Sequence, residues 1–139
     1  MIGKVEVSDH PDSSALLADL NHIMEEEFEH FQMLTETIME LGGDPTSQTP
    51  CADISAVAAL GIMQVLTDPR TTLAQCLQSL LTAEMTDLAA WELLIELAEQ
   101  SGHDDLVPPF QKAMAAEEEH EAMVKKWLRQ MVLEEAGEA

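Results

Sequence analysis

Tyrosine is absent from this chain of 139 residues, so its own side chains cannot carry chemistry that needs a tyrosyl radical or a tyrosinate ligand. Cysteine is scarce. Cys51 falls in a proline-rich loop and Cys76 inside a helical pattern, which excludes a disulfide framework and a four-cysteine iron site. Both read as reduced thiols. Basic residues are also few: six Lys and Arg against 27 Asp and Glu leave a net charge of -21. Such a surface repels nucleic acid and anionic membranes and attracts cations, so neither nucleic acid nor a membrane is expected as a partner. Residues 1–12 hold no apolar signal core, and no apolar run is expected to reach membrane-spanning length. A cytoplasmic protein is the expectation. What the chain does have is 46% hydrophobic residues, enough for one domain with a real core.

Those apolar residues recur at helical spacing throughout and never alternate as strands do, so the expected class is all-α. Residues 1–12 read as an N-terminal extension and 13–136 as a helical domain, with helices over about 13–41, 53–66, 71–100 and 108–135. Asp12, Ser13 and Ser14 offer caps to the first of these, and Gly42 with Gly43 stops it. Its apolar line is Leu16, Leu20, Ile23, Met24, Phe31, Leu34, Ile38 and Leu41. The last two helices share a short loop and should be antiparallel neighbours. The long connection from the first to the third, which carries the short helix, can cross the length of an antiparallel bundle.

Acidic groups interrupt these apolar lines where carboxylates are hard to tolerate. Glu27-x-x-His30 sits in the middle of the first line, Glu84 in the third helix, and Glu117-x-x-His120 in the fourth. Residues three apart on a helix point the same way, so each Glu-x-x-His offers one oxygen and one nitrogen from a single face. Each long helix places these residues near its own midpoint, and midpoints meet whichever way a helix runs. Three carboxylates and two imidazoles are therefore expected at one level. Buried together without a cation they would cost several kcal/mol per ion, and a pair of divalent metals removes that cost. The donor set suits iron first and manganese second, since structural zinc prefers a closed Cys and His tetrahedron. The bland alternatives are charges at helix edges or a protonated hydrogen-bond network. Glu26, Glu29, Glu118, Glu119 and Glu121 read as a solvated face, His22 as an exposed partner of Glu26, and Trp91 and Trp127 as core packing.

The stretches EEEFEHFQMLTETIMELGGDPTSQTP from Glu25, LTAEMTDLAAWELL around Glu84 and AAEEEHEAMVKKWL around His120 resemble the ferritin-like superfamily of rubrerythrins, bacterioferritins and related carboxylate-bridged dimetal proteins. The resemblance covers roughly residues 13–135. It implies a ferritin-like bundle holding two iron ions through Glu27, His30, Glu84, Glu117 and His120, with Glu27, Glu84 and Glu117 in catalytic roles and a carboxylate bridging. It also implies O2- or peroxide-dependent oxidation, with ferrous iron as the leading substrate and an external electron donor for other chemistry. Oxidation of an organic substrate at the same site, or a helical interaction module with a decayed site, are the alternatives. The family's first helix, with its own Glu, has no full-length equivalent here. A neighbouring subunit, Glu6 of the N-terminal segment, or an incomplete site would account for the sixth ligand, and completion in a homo-oligomer, at least a dimer, is the expectation.

Overall fold

The computed structural model describes residues 1–137. It is all-α: α1 (Ile2–Glu6), α2 (Ser13–Glu40), α3 (Pro50–Thr67), α4 (Leu73–Gln100) and α5 (Val107–Glu135), with no strand among the described residues. Two compact units divide the chain, Met1–Thr67 and a second from Asp68 onward.

In the first unit α1 packs on α2, with Val5 fully buried beside the start of the long helix. Sequence reasoning leaves residues 1–12 as an extension because one helical turn and a half is too short to show a period. Leu16, Leu20, Ile23 and Thr37 are the buried positions of α2. Counted alternately in threes and fours from Leu16, that seam continues through Glu27, His30 and Leu34, all half-buried, to Thr37. A second stripe at the same spacing, Met24, Phe28, Phe31 and Ile38, is open to solvent, as is Leu41. Met24, Phe31, Ile38 and Leu41 therefore depart from the expected buried line. Periodicity marks an apolar face without supplying a neighbour to cover it.

The turn after α2 requires glycine. Gly42 has φ +81°, a left-handed value, and the next residue, Gly43, donates its N–H to Ile38 O at 2.8 Å, closing the helix end. Beyond it α3 starts at Pro50, earlier than the expected 53. Thr49 Oγ1 accepts the Ala52 N–H at 3.1 Å and proline suits a first helical turn, so Thr49-Pro50 is a start signal. The result is an 18-residue helix of mean hydropathy 1.5 with none of its residues buried. This corrects the expectation that no apolar run reaches spanning length: by length and composition alone α3 does so, because the added Pro50, Cys51, Ala52 and Thr67 carry no charge.

The second unit is a helical hairpin. Thr72 caps α4 in a reciprocal box, its Oγ1 accepting Gln75 N–H at 3.2 Å while Gln75 Oε1 accepts Thr72 N–H at 3.0 Å, an arrangement that contributes about 1 kcal/mol. Pro108 and Pro109 lie in the first turn of α5, as expected for residues that lack or do not need the amide hydrogen there. Between the helices Gly102 takes φ +75° and the following His103 N–H reaches Ala98 O at 2.9 Å. The helices run antiparallel. Glu84 meets His120 while Trp91, further along α4, meets Phe110, earlier in α5.

Apart from Cys76, the buried residues of the hairpin fall on a regular seam. On α5 they are Phe110, Ala113, Glu117, His120, Val124, Trp127 and Met131, spaced three and four in strict alternation. On α4, Leu77, Glu84, Trp91 and Ala98 recur every seven residues, with Ala74 and Ile95 on the neighbouring row. This is knobs-into-holes packing. Three of its knobs are a glutamate, a glutamate and a histidine.

Candidate metal centre

Glu84 is 3% exposed, and Glu117 and His120 are fully buried. Because each occupies a seam position that would otherwise hold Leu or Ala, the hairpin's own packing aims all three side chains at one point between α4 and α5. His120 Nδ1 lies 3.5 Å from Glu84 Oε2 and 3.5 Å from Glu117 Oε2. The donor atoms of the three residues lie within 4.8 Å of one another. These separations exceed a good N–H···O hydrogen bond. Two donors that each stand about 2.1 Å from a common ion are roughly 3.0–4.2 Å apart, so the two 3.5 Å separations leave room for a shared cation.

The chemistry of the donors agrees. Two carboxylates and one imidazole, with no thiolate among them, match iron or manganese. Cys76 is buried in α4 two turns before Glu84, with its Sγ 3.5 Å from Thr71 Oγ1, and belongs to the helix start. Two acids buried side by side are costly unless a positive charge joins them. The residues present fit a divalent metal.

One further group touches the cluster. The indole of Trp91, one heptad after Glu84, donates from Nε1 to Glu117 Oε1 at 3.2 Å, wholly within the buried seam. Trp91 lies in the core as its place on the apolar stripe implies, 5% exposed, with its ring 5.6 Å from that of Phe110 and tilted by 55°. Its polar contact is the functional feature that sequence reasoning missed. The available signal was its distance of seven residues from Glu84, which places both on one face.

The remaining expected ligands lie in the other unit. Glu27 and His30 occupy successive positions of the α2 seam, one turn apart and half-buried, and one carboxylate oxygen of Glu27 is shielded from solvent. Their placement on α2 repeats that of Glu117 and His120 on α5. Glu6 is exposed on α1. Among the flanking acids Glu29, Glu118 and Glu119 are exposed, Glu26 and Glu121 half-buried, and Asp87 is exposed one turn after Glu84. His22 pairs with Glu26 at 3.3 Å, as its spacing implies.

A family model for the ferritin-like domain matches residues 8–133. Comparison with curated proteins and with solved structures finds no match.

Proposed function

Because the chain belongs to the ferritin-like domain family, we propose that Glu84, Glu117 and His120, with Glu27 and His30 from α2, hold a pair of iron ions and that the protein oxidises ferrous iron there. The observation that carries this reading is the hairpin seam, in which three neighbouring positions surrender apolar knobs to two buried carboxylates and an imidazole. Bound iron would supply the redox chemistry, each ferrous ion giving up one electron: two of them with two protons would reduce one peroxide to two waters, or four with four protons one O2 to two waters. The protein's residues do the rest. Buried carboxylates offset the ions' charge where water is excluded, and the three-residue spacing of each Glu-x-x-His fixes an oxygen and a nitrogen on one side. The net charge of -21 raises the local concentration of cations around the protein.

Elemental analysis of protein expressed with iron and manganese available tests the site directly. We expect about two Fe or Mn ions per bundle in the wild type, and loss of both in a Glu27→Ala, Glu117→Ala variant. Wild-type protein that carries no metal and produces no ferric absorbance when ferrous iron and oxygen are supplied would overturn the reading.

The functional unit on this reading is a homo-oligomer, at least a dimer. Met24, Phe28, Phe31 and Ile38 on α2 and Ile54, Val57, Leu60 and Met63 on α3 are all at least 40% exposed. Each stripe is an uncovered apolar helix face of the kind that a partner buries in a stable protein interface. A second copy is the occupant favoured by the chemistry. The α2 stripe has the three-and-four spacing that meshes with another helix of the same kind, whereas α3 carries one charged residue, Asp53, and none of the Lys or Arg that would hold it at a membrane surface. A Phe31→Glu, Leu60→Glu variant should run as a monomer in light scattering where the wild type does not. A wild type that is monomeric at tens of micromolar, or that floats with neutral lipid vesicles, would sink the dimer.

A further inference from the structure

The carboxylate of Glu117 is divided between two environments. Its Oε1 accepts the Trp91 indole N–H at 3.2 Å, and its Oε2 stands 3.5 Å from His120 Nδ1, on the side of the Glu84 cluster. An indole nitrogen donates only. It can neither accept a hydrogen bond nor bind a cation, so Trp91 has no part in ligation itself. It does constrain the group that ligates. Rotating Glu117 so that both oxygens face the cluster would break a hydrogen bond made inside a buried seam. The ring is itself fixed, since it fills a seam position and meets Phe110 at 5.6 Å. A rigid donor on a rigid helix therefore selects one rotation of the carboxylate.

We propose that Trp91 is a positioning residue that holds Oε1 of Glu117 on its indole N–H and so presents Oε2 alone to the metal. The proposal rests on the metal reading above and concerns the mode in which one ligand is offered. Removing the N–H frees Glu117 to turn and offer both oxygens, which alters the number of donors around the ion as well as its affinity. Partners that orient a metal ligand in this way change affinity by about tenfold to a hundredfold when removed.

Co(II) is a suitable probe because its visible bands weaken as the number of donors rises. In the full chain, Trp91→Phe keeps an aromatic ring in the seam but has no N–H. We expect it to bind Co(II) about tenfold more weakly than the wild type and with altered band intensity. Phe110→Leu disturbs the packing of the same ring and keeps the N–H. It should retain the wild-type Co(II) spectrum even where its melting temperature falls. Wild-type affinity and bands in Trp91→Phe would overturn the assignment to Trp91 while leaving the metal site standing. A wild type that takes up no Co(II) would instead overturn the metal reading, and this proposal with it.

A second measurement leaves Trp91 in place. The chain has two tryptophans, so in a Trp127→Phe variant Trp91 is the sole indole. Coordination through Oε2 draws charge from Oε1, and the ultraviolet resonance Raman band that reports indole N–H hydrogen bonding should move toward its weaker-bonded position as Co(II) is added. A band that stays fixed through saturation would overturn the proposal even if Trp91→Phe fails to fold.

Discussion

Mn(II) supplied at about a hundredfold over its dissociation constant should raise the midpoint of thermal unfolding by roughly 9 °C for each ion bound, about 18 °C for a filled pair, and a Glu84→Gln, Glu117→Gln variant should lose that rise. The size follows from mass action: a ligand at that excess stabilises the folded form by about 2.7 kcal/mol per site. For 139 residues each kcal/mol moves the midpoint by roughly 3.4 °C. The sign for the metal-free protein is the more telling result. Without a cation, Glu84 and Glu117 are two acids buried against the same imidazole. Glutamine keeps their shape, and at position 117 it keeps an oxygen for the Trp91 N–H, while removing the cost of two buried charges. The metal-free variant should therefore melt no lower than the metal-free wild type, and even above it. Calorimetry with and without Mn(II) checks both signs at once. A variant that keeps the rise would locate the bound metal elsewhere among the 27 acidic residues. A variant that melts many degrees lower without metal would mean that the two carboxylates serve the fold.

The opposition between charge and pattern is also why so much of the centre is visible in the sequence. Glu84, Glu117 and His120 stand out because each breaks an apolar period that would otherwise be complete, and the structure buries all three. Helix class and the stops at Gly42 and Gly102 are legible for similarly local reasons, since a left-handed turn and a change of periodicity each occupy a few consecutive residues. Trp91 is different. A tryptophan on an apolar stripe has the same pattern whether its N–H is idle or holds a ligand, and the distinction depends on the antiparallel register that brings position 91 beside 117. Coverage is equally non-local. Phe31 and Ile38 obey the helical period as faithfully as Leu16 and Leu20, yet the first pair is exposed and the second buried. The short α1 escaped because it has too few residues for a period, and the early start of α3 because Pro50 falls in a stretch with a second proline, Pro45, that reads as loop.

Truncating Phe110 to alanine should destabilise the chain by about 3–5 kcal/mol, lowering the midpoint by roughly 10–17 °C, the largest effect expected of a single substitution outside the ligands. Phe110 is 1% exposed, sits at the first seam position of α5 and meets the ring of Trp91, so the cavity would open in the layer next to the Glu84, Glu117 and His120 cluster. The loss should appear equally with and without Mn(II) if packing and ligation are separate contributions to holding α4 against α5. They share Trp91, however, and neighbours in one contact network seldom add. Loss of the Phe110 ring loosens the indole, the loosened indole orients Glu117 less well, and the Mn(II)-induced rise should shrink below that of the wild type. Phe110→Leu retains most of the bulk and should recover most of the rise. An undiminished rise in Phe110→Ala, despite a much lower midpoint, would show that Glu117 finds its place without a fixed Trp91 and that the hairpin alone sets the geometry of the centre.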